Sequence, residues 1–546
     1  MAREQGFVLL SSLVLAIAFA TSGVSAITSP ADVTAIRNLY TALGRPAKLA
    51  LWADPLLALD PCNGTGPAVP SINCTLAAPP ATYVITTVDL RNTGPYSGVA
   101  PPEIGAFPSL QNLYLTGLNF SGIPTAVGGL QQLQTLAIDN NVITTLPNEL
   151  ANIKNLTSLT LGGNQFSILP PVVPLLTSLI RLDLSYNYWA QPFPETMGNL
   201  RSLQAFIAMS SNLQTAFGGP YFPAWMLNLK VLGEIILDFN PTFGATLNAT
   251  LGTLPLLGYL SCVQCGLKGP IPATFGQSQY LGALHLSNNF LNGTIPPPLG
   301  NLSLYLHDLK LDQNNLTGPI PPELAKLQTV YLDLSSNQLN GTLPLEFYNA
   351  TGVIYLQNNQ LTGPLPYFLN KTAAQFIVTN NKFCSNVIGQ LCGNVTDSYI
   401  LRALRYSLGN PPLLRNWTGD APCNSSWAGV TCNSTTGESA VAVNASRVQA
   451  FGTIPDVIGG LTGLQSLDLS YNSIIGSLPS SLGNLTNLVT LLLNNNALNG
   501  SIPASLAALP SLQTVDLSYN RYPAGALPAG LTNVTNINNQ TAAVAR

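Results

Sequence analysis

The sequence predicts an α/β solenoid, a coil of short parallel strands stacked turn on turn with the strands lining its concave face. Three observations carry this. The segments LQSLDLSYNSIIGSLPSSLGNLTN, LVTLLLNNNALNGSIPASLAALPS and LQTVDLSYN follow one another with a 24-residue step and share the pattern LxxLxLxxNxLxGxIP. The chain has 546 residues, too many for one ordinary core. It is also 46% hydrophobic and only 8% charged, with a formal charge of −3, so it is too apolar for disorder. The absence of a basic cluster excludes nucleic acid as a partner.

Each element of the repeat has a physical reason. The two leucines of LxLxx stand two apart on a strand and point into a shared core, while the residues between them face solvent. The Asn that follows turns inward and hydrogen-bonds the backbone of neighbouring turns. The Gly and Pro of GxIP then bend the chain away and leave room only for short helical or irregular segments on the return side. Aligned on the Asn position, thirteen repeats run from Thr93 to Asn381 and four more occupy Val448, Asn472, Asn496 and Asn520. A step of 29 residues separates Ser211 from Asn240, and one of 67 separates Asn381 from Val448.

The amino terminus reads as a secretory signal: Arg3, an apolar run from Phe7 to Ala20, and the small residues Val24-Ser25-Ala26 before a cleavage point. No later stretch is apolar and long enough to span a bilayer, so no direct membrane span is expected after cleavage. The eight cysteines form four close couples and suit an oxidising compartment. Disulfides are expected for Cys62 with Cys74, Cys384 with Cys392 and Cys423 with Cys432. No histidine lies near any couple, which disfavours zinc. Cys262 and Cys265 occupy the inward leucine and Asn positions of one repeat and are expected to be two buried free thiols.

The LxGxIP segments at Gly269-Pro270-Ile271-Pro272, Gly293-Thr294-Ile295-Pro296, Gly318-Pro319-Ile320-Pro321 and Gly500-Ser501-Ile502-Pro503 resemble the plant-type leucine-rich repeat proteins. That family comprises ectodomains of receptor-like kinases and receptor-like proteins, and the polygalacturonase-inhibiting proteins. The resemblance implies a curved leucine-rich repeat solenoid with N-terminal-type cysteine caps. TDSYILRALRYSLG with Trp417, Cys423, Trp427 and Cys432 is similar to such a cap, and VTAIRNLYTALG with Trp52, Cys62 and Cys74 to a looser one. The expected organisation is a signal peptide at 1–26, a cap at 27–82 and a first array of 13 repeats at 83–383. A break holding the second cap follows at 384–439, then a second array of 4 repeats at 440–530 and a polar tail at 531–546. Two stacked arrays and one continuous solenoid with an inserted island are both compatible with this order.

Nothing in the pattern assembles a catalytic pocket. His285 and His307 are the two histidines, and no nucleophile is placed beside either; no metal, cofactor or enzymatic activity is expected. Binding is therefore sought on the outward strand positions. These give an apolar run of Ile207, Met209, Ile236, Phe239, Tyr259 and Val263, with Asp238 and His285 also outward and a charged rim of Asp308, Lys310, Asp312 and Asp333 beyond. The competing reading is that the poorly matching LQAFIAMSSN shifts register and buries some of them. The aromatic insertion GGPYFPAWML either overhangs that face or packs on the back, and the back is the expectation.

Twenty Asn-x-Ser/Thr sequons occur, and glycosylation is expected at Asn63, Asn119, Asn155, Asn248, Asn301, Asn394, Asn424 and Asn484 among others. By resemblance the product is a secreted apoplastic or cell-wall recognition protein that binds a peptide, protein or polysaccharide and partners a membrane receptor kinase. Inhibition of a secreted cell-wall hydrolase such as polygalacturonase is the first alternative. A receptor-kinase ectodomain without its membrane and kinase parts is the second.

Overall fold

The computed structural model describes residues 27–53, 62, 72–76, 82–91, 93–366, 369, 374–384, 396–419, 421–423, 427–433, 439–523 and 528–533. The signal segment, Asn63, Cys392, Asn394, Asn424 and nearly all of the polar tail lie outside them. The chain forms two compact units, Met1–Gly219 with Pro223–Leu232, and Pro220–Phe222 with Gly233–Arg546.

In the first unit, strand β1 (Thr82–Asp89) pairs in parallel with Ile27–Thr28 and antiparallel with Ile72–Leu76. It is followed by β2 (Asn112–Tyr114), β3 (Thr135–Ala137), β4 (Ser158–Thr160), β5 (Arg181–Asp183) and β6 (Ala205–Ile207), each parallel to the one before. Their central residues, Leu113, Leu136, Leu159, Leu182 and Phe206, are fully buried. The 29-residue step is taken up by two single-turn helices, α2 (Leu213–Ala216) and α3 (Ala224–Leu227). Trp225 is buried there against Phe206 and Phe217 through edge-to-face contacts at 5.5 and 6.1 Å, while Tyr221 stays exposed.

The second unit holds β7 (Glu234–Ile236), β8 (Tyr259–Ser261), β9 (Ala283–His285), β10 (Asp308–Lys310), β11 (Tyr331–Asp333), β12 (Val353–Tyr355) and β13 (Gln375–Ile377), all parallel. A separate sheet contains β14 (Ala440–Asn444), β15 (Ser466–Asp468), β16 (Thr490–Leu492) and β17 (Thr514–Asp516), parallel to one another, with Val430–Cys432 antiparallel to β14 at its edge. The return path of nearly every turn is a short 3-10 segment entered from proline, as at Pro321 before Pro322–Lys326. Proline suits that place because it has no amide hydrogen to leave unsatisfied.

The inward asparagines tie consecutive turns together. Asn289 Nδ2 donates to the carbonyls of Cys262 and Leu286 at 2.8 and 3.0 Å, while its Oδ1 accepts from the amides of Cys265 and Leu267, both at 2.9 Å. Asn141, Asn314, Asn337 and Asn472 repeat the arrangement of donated bonds. One amide side chain thereby satisfies buried backbone groups of two turns, which no apolar residue could do.

Both cap helices are built alike. In α1 (Pro30–Ala42) the first-turn Asp32 accepts a hydrogen bond at Oδ2 from the Ile85 amide at 2.9 Å. In α4 (Asp397–Ser407) the first-turn Asp397 does the same with the Ala440 amide at 2.7 Å. Trp417 and Trp427 stack at 6.0 Å behind α4, and Arg405 donates to the Trp417 carbonyl at 3.0 Å. Cys62 is bonded to Cys74 and Cys423 to Cys432. Cys384 is also disulfide-bonded.

Helix α4 is packed on two sides within its unit. It lies against the 3-10 turn Leu345–Asn349 of the preceding array and the turn Asp456–Gly460 of the following one. Nine of its eleven residues are buried, including Arg405 and Tyr406.

Cys262 and Cys265 correct the sequence reading, for they form a disulfide rather than two free thiols. The repeat template places both on a strand, but β8 ends at Ser261 and the chain reverses at Gln264, whose φ is +55°. The turn brings the two Cα atoms to 5.6 Å, inside the range a disulfide bridges.

Candidate functional site

The outward residues of β8, β9 and β10 form a connected polar network in the second unit. Parallel pairing sets Ser261, His285 and Lys310 in one row and Tyr259, Ala283 and Asp308 in the row before it. Because Ala283 is small, the larger side chains reach diagonally across the strands. Tyr259 Oη lies 3.1 Å from His285 Nδ1, and the two rings meet edge to face at 5.3 Å. His285 Nε2 lies 2.9 Å from Asp308 Oδ2, and Lys310 Nζ is 3.1 Å from the same oxygen. The N–H axis of His285 misses that oxygen by more than a hydrogen bond allows, so this contact is one of charge rather than direction. Lys310 Nζ also stands 6.0 Å above the Tyr331 ring.

The electrostatics follow from burial and neighbours. Burial alone would raise the Asp308 carboxyl, but the adjoining His285 and Lys310 more than offset it and hold it below its ordinary value. Burial pushes the Tyr259 hydroxyl up, opposed by a hydrogen bond with Ser261 and helped by the negative charge of Asp238, Asp308 and Glu234. Burial likewise raises Asp333, although Ser335 donates to it, and Asp312 adds to the rise.

The residues expected on the binding face separate on inspection. Ile207 is only 3% exposed, so it is withdrawn from the surface, and the register reading that buries part of LQAFIAMSSN holds at that position. Met209 is half-exposed and belongs with Ile207 to the first unit. In the second unit Ile236, Asp238, Tyr259, Val263, His285, Lys310 and Asp333 are half-exposed and Phe239 is 45% exposed. Asp238 is committed locally, accepting from Ser261 Oγ and the Val263 amide, both at 2.7 Å. Asp333 accepts from the Ser335 amide at 2.9 Å. Tyr331 is not among the expected site residues, and Asp308, expected only in the charged rim, stands at the centre of the network. Both precede the buried leucine of their strand, whereas the template was read chiefly at the position after it.

Of the sequons within the described residues, Asn119, Asn155, Asn301 and Asn484 are exposed. Asn248 is half-buried and caps the following 3-10 turn by accepting from the Thr250 amide at 2.8 Å.

Models of the leucine rich repeat match residues 108–166 and 462–521, and also 280–302, 305–327 and 328–350. A model of the leucine rich repeat N-terminal domain matches 395–433, the segment of the second cap. The leucine-rich repeat protein FLOR 1 of Arabidopsis thaliana is 35% identical over 75 residues, 14% of this chain and 22% of that protein. The crystal structure of the Arabidopsis receptor kinase HAESA in complex with the peptide hormone IDA and the co-receptor SERK1 is 23% identical. It superposes with a TM-score of 0.50, covering 94% of this chain and 86% of that one. The ectodomain of GASSHO1/SCHENGEN3 from Arabidopsis thaliana is 25% identical with a TM-score of 0.43, over 79% of this chain and 50% of that one. The chain thus spans about a fifth of the curated relative and half of the GASSHO1/SCHENGEN3 ectodomain. Turn-by-turn parallel strands, inward asparagine ladders and the matched segments show that this chain carries leucine-rich repeats closed by a leucine rich repeat N-terminal domain, in a solenoid fold like that of the HAESA structure.

Proposed function

We propose that the chain is a secreted, glycosylated, non-enzymatic recognition protein of the receptor-like kind, which binds an extracellular peptide or protein through the strand face of its second unit. The observation that carries this reading is the network of Tyr259, His285, Asp308 and Lys310. It sets a phenol, an imidazole, an ammonium and a carboxylate side by side on rigid strands, beside the exposed Phe239 and Tyr331. Such a mixture of aromatic and polar groups suits a contact surface, and strands fix it without prior ordering.

The test is capture from plant extracellular fluid by the mature protein, comparing wild type with Tyr259→Ala and Ile236→Asp. Both variants should lose the captured partner; retention of every partner by both would remove this face from consideration. A polygalacturonase assay run beside it reads the inhibitor alternative, in which added protein lowers enzyme activity.

A further inference from the structure

The Tyr259–His285–Asp308 relay has a direction, and that direction depends on one proton. Asp308 is held as a carboxylate and can only accept. With the Asp308 carboxylate 2.9 Å from Nε2, the neutral imidazole is favoured with its hydrogen on Nε2, because the positive end of that N–H dipole then lies nearest the negative charge even without an aligned hydrogen bond. That leaves Nδ1 as an acceptor, and at 3.1 Å the Tyr259 hydroxyl donates to it. The lone-pair side of the Tyr259 oxygen that Ser261 leaves open is then what a ligand meets. Protonating Nδ1 reverses the bond: the imidazolium donates to the Tyr259 oxygen, and the phenolic hydrogen must turn away from the ring toward whatever lies on the face.

We propose that His285 is a proton switch for this face, turning Tyr259 from a hydrogen-bond acceptor into a donor on acidification and so selecting ligands that present a carbonyl or carboxylate there. This rests on the reading above that the face binds. Histidine is the side chain whose ordinary titration falls between about pH 5 and pH 8. The charged and titratable groups around it are Tyr259 on β8, Asp308 and Lys310 on β10, Glu234 on β7 and Asp238 just after it, both near Tyr259, and Asp312, Tyr331 and Asp333 beyond. Among them Lys310 alone disfavours a second cation, and it is already paired with Asp308.

Two measurements decide the matter. Nitrogen-15 spectra of the histidine side chains in the whole protein, assigned with His285→Gln, should show an Nε2–H neutral tautomer at His285. Tyr259 ring signals, identified with Tyr259→Phe, should move with the same midpoint as the imidazole. An Nδ1–H tautomer, or Tyr259 signals that ignore the titration, would overturn the switch even if ligands bind. A displayed random-peptide library selected on wild type at about pH 5 supplies the binding probe. Its affinity should fall about tenfold between about pH 5 and about pH 8, the size of one hydrogen bond, and by less than about twofold in His285→Gln. Equal pH dependence in both proteins overturns the switch. Peptides that bind equally well to Ile236→Asp overturn instead the assignment of the face, leaving the spectra to judge the relay.

Discussion

Tyr406 donates its phenolic hydrogen to Glu346 Oε1 at 2.9 Å, across 60 residues of sequence. Glu346 sits on the return turn of the preceding array and Tyr406 on the cap helix of the following one, so this bond is a measure of how the two are joined. Tyr406→Phe keeps the ring and removes the bond, and should cost about 0.5–1.5 kcal/mol. Glu346→Gln in the same background should then add little, because the two substitutions delete one interaction. A double-mutant cycle by urea unfolding reads the coupling, and strict additivity would show that the bond does not form in solution.

The asparagine ladder makes a sharper prediction. Asn289→Ala leaves the amides of Cys265 and Leu267 buried without a partner and should destabilise by about 2–4 kcal/mol. Asn315→Ala, one repeat further along and exposed, should stay within about 0.5 kcal/mol. Paired urea titrations distinguish them.

Cys262 and Cys265 should resist alkylation in denaturant until a reductant is added, and the peptide that contains them should then gain two labels. Labelling without reductant would restore the free-thiol reading. Replacing both by alanine should cost about 2 kcal/mol through the lost loop constraint alone.

Acid dependence follows from the capping carboxylates. Burial raises the Asp32 and Asp397 carboxyls above their ordinary value, partly opposed by the amide hydrogen bonds of Ile85 and Ala440. The folded chain therefore binds these protons more tightly than the unfolded chain does. Their contribution is fully present below the ordinary carboxyl value of 3.8 and is lost as pH rises through the raised folded values. Asp397→Asn should remove one part of that decline, flattening the melting temperature against pH above 3.8 while keeping an acceptor for Ala440. An unchanged profile would mean that Asp397 titrates normally.

How much of this was legible in the sequence depends on the residue. The buried leucines and inward asparagines stand in a period-two pattern that admits one assignment of faces, so the solenoid and its ladders could be read directly. Ile207 could not, because AFIAM is apolar at every position and periodicity then carries no information about which side faces the core. His285 was placed outward correctly, but its partners Tyr259 and Asp308 are diagonal neighbours on other strands. Their meeting depends on the small Ala283 between them, a relation no single repeat displays. Cys262 and Cys265 were misread because the template supplied a strand where the backbone makes a turn.

Helix α4 opens the second array by every sequence criterion, yet its other side closes the first. A protease or an engineer cutting ahead of residue 397 would strip the earlier array of its lid, and one cutting behind residue 407 would leave the later array headless. The joint therefore offers no place for a clean division. The repeats can be counted as two series, but the piece of protein that must be made, folded and inherited intact runs straight through the seam.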